Sequence, residues 1–237
     1  MKPDETADRS TPYGVHYHSI TRKHYPLKSW LRELFATWKQ PRAFAKLIDA
    51  LPQGARVLDA GCGQGKTLAE LARYRPDLEL FGIDAAPAGE AQGFTLMSGD
   101  VTDLPFPDGH FHLVYTRHVI EHVPDNLGMV KELARVLRPG GRLYLETPDV
   151  RNGMSWAPLN FWDDPTHLRP YTRTGLRRLF ELCDLVPLSA ARMRDWRLVL
   201  LGVFYLPVAL VMRDPFFTSH WLANVSGVFI YGVAARR

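Results

Sequence analysis

A glycine-rich run is the part of this 237-residue sequence with the clearest capacity for chemistry. Gly61, Gly63 and Gly65 follow a short apolar stretch, and glycine lets a backbone turn tightly and approach a ligand closely. The amides that open a following helix then point at that ligand. The third glycine of a dinucleotide-binding GxGxxG motif would fall on Lys66, so the spacing departs from that motif. The run therefore predicts a ligand-binding turn of another kind.

Two aspartates indicate the character of the ligand. Asp59 precedes the glycines, where its carboxylate would repel a pyrophosphate but attract an ammonium or a sulfonium group. Asp84 stands nineteen residues after Gly65, where an acid can accept hydrogen bonds from both ribose hydroxyls. Helix capping is the alternative interpretation of Asp59. The pattern as a whole favours a site for a nucleoside that carries positive charge.

Strands that alternate with helices must position these residues. Strands are predicted at residues 56–60, 78–83, 94–97, 112–116 and 142–146, and helices at residues 66–74, 127–137 and 174–182. This alternation is typical of a parallel, doubly wound α/β sheet with helices on both faces. Pro139-Gly140-Gly141 is expected to cap the second of these helices. Only nine residues separate Asp84 from Phe94, so the crossover helix there is expected to be short or missing.

Four segments resemble the class I methyltransferases, which have seven strands and use S-adenosylmethionine. These segments are VLDAGCGQG, FGID, GDVTDLPFPDGHFHLVYTRHVIEHVPD and VLRPGGRLYLETPD, all within residues 55–150. The resemblance implies a mostly parallel, seven-stranded, Rossmann-like α/β sheet with its last strand at residues 228–234. It also implies S-adenosylmethionine as the cofactor.

The same resemblance assigns residues to the cofactor. It implies that the three glycines, with Asp59, surround the methionine part and that Asp84 holds the ribose. Asp100 and Val101 would flank the adenine, through a carboxylate and a backbone amide. Arg117 and His118 would end the fourth strand beside the transferable methyl group.

Histidines are the candidates for handling the acceptor's proton. Methyl transfer from a sulfonium depends mainly on alignment, and a base is needed only if the acceptor is a hydroxyl or a protonated amine. If their stretch is helical, His118, Glu121 and His122 share one face of it. Their segment resembles the part of quinone-biosynthesis O-methyltransferases that holds a divalent cation, with His118 replacing the first acid. Relatives without a metal share the segment, so loop ordering or a substrate wall is favoured and no metal is predicted.

The segment from Phe161 to His167 is expected in a loop after the fifth strand, at the carboxyl edge of the sheet where ligands bind. It resembles methyltransferases of glycan and small-metabolite pathways that carry a D-x-x-H element. His167 is therefore the first candidate base, with Asp163 or Asp164 orienting it, and His118 is the second. A histidine that only holds the loop closed is the alternative.

The chain is expected to have two parts. Residues 1–52 form an N-terminal arm and helical cap, and residues 53–237 form the methyltransferase domain. Within the latter, residues 151–237 supply the substrate-side loop, an apolar insertion and the last strands. The insertion, Leu198–Met212, is shorter than the about 20 residues of a bilayer span and has arginine and aromatic flanks. A buried core or homodimer face, peripheral membrane contact and a true bilayer span are the three interpretations, of which the span is the least favoured.

Charge and cysteine content indicate which ligands and which cellular compartment suit the protein. The net charge is +4, and no lysine follows Arg151, so the positive charges there are arginines. Arginines suit phosphate, and an ordinary solvated surface is the alternative. Two cysteines exclude a disulfide framework, and the first residues lack a signal-peptide pattern, so a cytoplasmic protein, in solution or against a membrane, is expected. The expected acceptor is a hydroxyl of a small-molecule, glycan or lipid-linked compound. A tRNA or protein methyltransferase and a non-catalytic S-adenosylmethionine-binding module remain alternatives, although no nucleic-acid module is evident.

Overall fold

The computed structural model describes residues 41–88, 92–150, 161–193 and 229–237, together with residues 200, 203, 207 and 227. The strands are β1 (Arg56–Ala60), β2 (Glu79–Asp84), β3 (Thr95–Ser98), β4 (Phe111–Arg117), β5 (Leu137–Pro148), β6 (Leu185–Arg192) and β7 (Phe229–Arg236). The helices with described bounds are α1 (Arg42–Asp49), α2 (Lys66–Tyr74), α3 (Asn126–Val136) and α4 (Arg173–Leu182). They include every strand and helix predicted between residues 56 and 182.

The strands form one seven-stranded sheet in the order β3-β2-β1-β4-β5-β7-β6. Strands β1 to β5 run parallel to their neighbours, whereas β7 is antiparallel to both β5 and β6. The predicted doubly wound, mostly parallel α/β sheet is therefore confirmed. Because the chain order reverses between β1 and β4, the carboxyl ends of these two strands border a crevice of the kind that binds ligands.

Apolar side chains cover both faces of the sheet. On one face, α1 and α2 share a core with two buried tyrosines of the sheet; its largest members are Phe44, Ile48, Leu68, Leu71, Tyr115 and Tyr144. On the other face, α3 and α4 pack against β4, β5 and β7. Fully burying one side chain of this size contributes about 1.5–3 kcal/mol. Both cores thus fix the strand ends on which a site can be built.

Helix α1 belongs to the same compact unit as the sheet, which spans residues 39–237. Phe44 is fully buried, and its ring centroid lies 4.9 Å from that of Tyr115 and 5.1 Å from that of Tyr144. The second half of the predicted helical cap is therefore packed into the sheet's core. The first half, and the N-terminal arm, lie outside the described residues.

The segment Pro139-Gly140-Gly141 differs from its prediction as a helix cap. Helix α3 ends directly before Leu137, which is extended and begins β5. Leu137 is buried and pairs with Phe111 of β4, and the register of the two strands shifts just after this pair. Gly140 has a φ of +74°. The predicted cap is therefore wrong, and the three residues form an irregularity inside β5.

Two predictions concerned the link between β2 and β3 and the apolar insertion after β6. The link between β2 and β3 contains no helix in its described residues, 85–88 and 92–94. The apolar stretch predicted at Leu198–Met212 lies largely outside the described residues; Leu200, Val203 and Pro207 within it are helical and exposed. Among the residues with described structure, no helix combines the length and apolar character needed to cross a membrane.

Candidate active site

The turn after β1 is built around three glycines in the left-handed region. Gly61, Gly63 and Gly65 have φ angles of +83°, +53° and +66°, which residues with a Cβ rarely adopt. The amides of Gly61 and Cys62 donate to the carbonyl of Ile83 at 2.7 and 3.1 Å, which fixes the turn against β2. A Cβ at Gly63 would meet no atom within 4 Å. Open space for a ligand therefore lies beside this residue.

Asp84 lies next to this turn, at the carboxyl end of β2. Its Oδ2 accepts a hydrogen bond from the amide of Gly63 at 2.8 Å, and its Oδ1 accepts one from the amide of Ala86 at 3.0 Å. A carboxylate offers about four acceptor positions. Contacts with the described residues thus occupy two of these positions and orient the side chain.

Asp100 and Val101 follow β3 at the same edge of the sheet. The Oδ1 atom of Asp100 accepts hydrogen bonds from the amide and the hydroxyl of Thr102, both at 2.8 Å, which fixes the carboxylate. Asp100 is exposed, whereas the side chain of Val101 is buried in the core. The predicted adenine-binding residues are therefore close in the fold to the glycine turn through β2, which pairs with both β1 and β3.

Asp59 is the buried acid of this edge, with 5% of its surface exposed. Burial raises the pKa of Asp59 from 3.8 to about 7, against the lowering influence of Tyr115 and Arg117. The nearby Tyr115 hydroxyl favours the Asp59 carboxylate, although among the described residues this hydroxyl makes no hydrogen bond that meets the usual distance and angle limits. An approaching cation favours the carboxylate form and therefore lowers the pKa of such a group again. Asp59 therefore suits an ammonium group.

Arg117 and Glu146 form an ion pair where β4 and β5 end. The two residues are register partners, and Arg117 Nε donates to Glu146 Oε2 at 3.1 Å. The Tyr144 hydroxyl donates to the same oxygen at 3.0 Å, and His118 Nε2 lies 3.1 Å from Oε1. Although burial opposes ionisation, His118, Arg117 and Tyr144 lower the pKa of Glu146 to about 2.

His118 is held between two carboxylates. Its Nε2 faces Glu146 at 3.1 Å and its Nδ1 faces Glu121 at 3.5 Å. Surrounding protein atoms oppose the charge, but the two carboxylates raise the pKa of His118 to about 9. Its side chain nevertheless keeps 39% of its surface accessible, so the ring is partly open to solvent. At neutral pH both ring nitrogens carry protons, which makes His118 a fixed cation more than a base.

The segment from His118 to His122 is a turn, so the helix that would have put His118, Glu121 and His122 on one face is not formed. His118 has a φ of +55°, which no helix accommodates. Glu121 is 1% exposed, and its Oε2 accepts a hydrogen bond from the Thr147 hydroxyl at 3.0 Å. The backbone carbonyl of Glu121 accepts the amide of Leu168 at 2.8 Å. This turn therefore anchors the loop that carries His167.

His167 is oriented through one ring nitrogen. Its Nδ1 lies 2.6 Å from the carbonyl of Phe161, and because a carbonyl only accepts, Nδ1 carries the proton and Nε2 the lone pair. The ring stacks on that of Phe161 at 4.3 Å. Asp164 Oδ2 lies 3.9 Å from Nε2, while Asp163 belongs to a 3-10 turn and is exposed. Of the two acids predicted to orient His167, Asp164 is the one with a described contact.

Glu146, Thr147 and Thr166 are parts of this region that the sequence reasoning missed. Thr166 donates through Oγ1 to Asp164 Oδ1 at 2.5 Å and lies 3.2 Å from His122 Nδ1. For Glu146 a signal existed, because the carboxyl ends of adjacent parallel strands meet at one edge. Applying this rule to β4 and β5 would have placed Glu146 beside Arg117. No local pattern marks the two threonines.

Comparisons with a family model and with known proteins agree that the chain is similar to methyltransferases. A family model described as a methyltransferase domain matches residues 29–190. The chain is 36% identical over 127 residues to 2-methyl-6-phytyl-1,4-hydroquinone methyltransferase of Synechocystis sp., covering 50% of this chain and 39% of that protein. It is 32% identical over 167 residues to a probable tocopherol O-methyltransferase of Oryza sativa subsp. japonica, covering 65% and 41%. The chain thus spans about two fifths of the length of these curated relatives.

A solved structure shares the fold. It is phosphoethanolamine N-methyltransferase 2 of Haemonchus contortus in complex with S-adenosyl-L-methionine. The TM-score is 0.63 at 16% identity, over 84% of this chain and 52% of that one. The family match covers most of the described sheet. The glycine turn and Asp84 lie at the edge of that sheet where the parallel strands have their carboxyl ends. The chain therefore belongs to the class I, S-adenosylmethionine-dependent methyltransferases, a family of enzymes with this cofactor.

Proposed function

We propose that this chain transfers a methyl group from S-adenosylmethionine to a hydroxyl of a small-molecule, glycan or lipid-linked acceptor. The observation that carries the proposal is the position of two groups at the carboxyl edge of one sheet. The first is the glycine turn with Asp59 and Asp84, and the second is His167 with its lone pair on Nε2. The two curated relatives described above are named methyltransferases, and one of them is named an O-methyltransferase, which supports a hydroxyl acceptor.

The residues present fit the cofactor. Open space beside Gly63 admits the methionine part, and Asp59, whose pKa burial raises to about 7, ionises more completely as the ammonium group approaches. Asp84 has acceptor positions for the ribose hydroxyls. Asp100 and the amide of Val101 flank the adenine. When bound, the cofactor supplies a methyl group on a sulfonium, and Arg117 lies at the end of β4 on the side of the site where that methyl group is expected.

His167 acts on the acceptor. Its Nε2 takes the proton of the acceptor hydroxyl while the new carbon–oxygen bond forms and the carbon–sulfur bond breaks, which releases S-adenosylhomocysteine. The Phe161 carbonyl holds the ring in the tautomer that this step needs. Asp164 Oδ2, 3.9 Å from Nε2, stabilises the imidazolium that results. His118 stays protonated throughout, since both of its nitrogens face carboxylates.

Cofactor binding is tested by calorimetry with S-adenosylmethionine and S-adenosylhomocysteine. Asp84→Ala should weaken binding by about 1.5–3 kcal/mol, because it removes charge-assisted hydrogen bonds to the ribose. Glu79→Ala is the matched control, since Glu79 is exposed at the opposite end of the same strand. Binding that Asp84→Ala leaves unchanged would exclude this cofactor site.

The role of His167 is tested once an accepted hydroxyl compound is found by screening phenolic, glycan and lipid-linked candidates. His167→Ala should lower kcat about 100-fold or more and leave cofactor affinity nearly unchanged. The partly buried His110, before β4 at the other edge of the sheet, supplies the control His110→Ala. An unchanged kcat in His167→Ala would reduce His167 to a residue that only closes its loop.

Exposed apolar side chains favour a lipid-linked acceptor within the proposed class. In the described residues after 160, Trp162 is 59% exposed, Leu200 64% and Val203 61%, and the cations of this half of the chain are arginines. Apolar side chains beside arginines bind the interface of anionic bilayers. The protein should therefore float with anionic liposomes. Leu200→Ser/Val203→Ser should reduce flotation, and Tyr74→Ser, which changes an equally exposed side chain on α2, should not. Wild-type protein that stays at the bottom of the gradient would contradict membrane contact.

A further inference from the structure

Tyr115 carries a buried hydroxyl that has no hydrogen-bond partner in the part of the chain that the structure describes. The residue is fully buried in the core between the sheet and helices α1 and α2, and its hydroxyl oxygen is shielded from solvent. A buried polar group that stays unpaired destabilises a folded protein, so nearly all such groups have partners. The hydroxyl therefore points to a hydrogen bond that forms when the site is in use.

Asp59 is the ionisable group beside this hydroxyl. The two residues are register partners on the adjacent parallel strands β1 and β4, so their side chains lie on the same face of the sheet. The ring of Phe44 packs edge-on against that of Tyr115, with centroids 4.9 Å apart, which fixes the tyrosine ring. Burial raises the pKa of Asp59, and the hydroxyl already acts against this rise. A small adjustment of the carboxylate is thus enough to make the hydrogen bond.

The other charged or titratable groups that act on Asp59 among the described residues do not replace the hydroxyl. Arg117 is held by the ion pair described above, and Asp84 is a second acid. Burial, with Asp59 and Asp84, raises the pKa of Cys62 to about 12, so its thiol stays neutral. Burial also raises the pKa of Tyr115 well above its ordinary value, so its hydroxyl keeps its proton and can donate it to a hydrogen bond.

We infer that Tyr115 is a positioning residue for the cofactor, whose hydroxyl donates to the Asp59 carboxylate once the ammonium group of S-adenosylmethionine lies against Asp59. An ammonium group favours the ionised form of Asp59, and a carboxylate accepts a stronger hydrogen bond than a neutral carboxyl group. The hydroxyl is unpaired before binding and paired after it, so its hydrogen bond contributes to affinity more than to folding. This inference rests on the proposed contact between Asp59 and the ammonium group.

Tyr115→Phe tests the inference, because it removes only the hydroxyl and keeps the ring. Calorimetry at about pH 8 should show S-adenosylmethionine binding weakened about tenfold or more, the loss expected for a hydrogen bond to a charged group. The affinity should also begin to fall at a higher pH than in the wild type, because the hydroxyl no longer lowers the pKa of Asp59. Methylthioadenosine, which lacks the ammonium group, should bind both proteins equally.

Urea unfolding separates this role from packing. At about pH 6 Asp59 is mostly protonated, and Tyr115→Phe should leave the free energy of unfolding unchanged or raise it, because an unpaired buried group is removed. Tyr144→Phe is the matched control in the same core, since the Tyr144 hydroxyl donates to Glu146 at 3.0 Å. It should lower the free energy of unfolding and keep the wild-type pH dependence of cofactor binding. An equal loss of unfolding free energy in both variants would mean that the Tyr115 hydroxyl is already bonded without cofactor, which would overturn the inference.

Unchanged affinity and an unshifted pH profile in Tyr115→Phe would overturn it as well. Asp59→Asn distinguishes this failure from a failure of the proposed cofactor contact. If Asp59→Asn weakens S-adenosylmethionine binding and Tyr115→Phe does not, the ammonium contact stands and the role of Tyr115 fails. If neither change weakens binding, the contact of Asp59 itself fails, and the inference with it. In the Asp59→Asn background Tyr115→Phe should have a much smaller effect, because the charge that strengthens the hydrogen bond is gone.

Discussion

Replacing Asp59 by asparagine should change how the free energy of unfolding depends on pH. The pKa of Asp59 is about 7 in the folded protein and 3.8 in its ordinary state, because burial disfavours the carboxylate. At 1.36 kcal/mol for each unit of pKa, ionising this group costs roughly 4 kcal/mol. Asp59 is 5% exposed, so solvent offsets little of this cost.

The sign follows from proton linkage. Between pH 3.8 and about pH 7 the folded protein binds the Asp59 proton more tightly than the unfolded chain. The stabilising contribution of Asp59 is therefore complete below pH 3.8 and is lost as the pH rises to about 7. Asp59→Asn has no such loss. The free energy of unfolding of the variant, minus that of the wild type, should thus rise by up to about 4 kcal/mol from about pH 4 to about pH 8.

Urea unfolding at several pH values measures this difference, and subtracting the two proteins removes the titration of every other group. A difference that does not depend on pH would refute the assignment of a buried, poorly compensated acid. The ligand adds a second readout, because a cation that ionises Asp59 must release its proton. The dissociation constant for S-adenosylmethionine should rise about tenfold from about pH 8 to about pH 6, with proton release seen by calorimetry in two buffers. Binding at about pH 6 without proton release would show that the ammonium does not contact Asp59.

Further predictions concern stability. Glu146→Gln leaves Arg117 and His118 without their shared carboxylate and should lower the free energy of unfolding by about 3 kcal/mol. Urea unfolding measures this change, and an unchanged value would mean that solvent screens both cations. Phe44→Ala removes a fully buried ring that packs on two tyrosines and should cost about 3–5 kcal/mol in one cooperative transition. A separate transition would instead place α1 outside the sheet domain. Asp125→Ala removes the cap that accepts the amide of Gly128 at 2.8 Å and should cost about 1 kcal/mol. Asp103→Ala, at another exposed carboxylate, tests whether the loss of surface charge alone has such an effect.

The sheet and the cofactor side of the site were predictable because their signals are local. Strand β1 and helix α2 have the predicted bounds, since apolar residues on each side of the glycines have a clear period. Asp84 was found in the same manner, as the acid that ends the next strand. The orientation of Asp84 by the Gly63 amide confirms that turn and strand end meet.

The acceptor side was predictable in its residues but not in its geometry. The spacing of His118, Glu121 and His122 fits one face of a helix, but the positive φ of His118 turns the chain at that residue. The ring of His118 then lies between the carboxylates of Glu121 and Glu146. The contact of His122 with His167 joins segments that follow different strands, and no periodicity encodes it. Such contacts depend on loop conformation, which short-range sequence patterns do not specify.

The antiparallel pairing of β6 with β7 has a consequence for how this fold can diverge. The amide of Met193 donates to the carbonyl of Phe229 at 2.9 Å, so the chain leaves and re-enters the sheet at neighbouring points. Closing such an excursion costs only about 0.6 kcal/mol more for each doubling of its length. Segments of very different size and chemistry can therefore be grafted between these two positions while the seven strands stay in register. In such a scaffold, the binding surface can change during evolution while the core of the sheet stays the same.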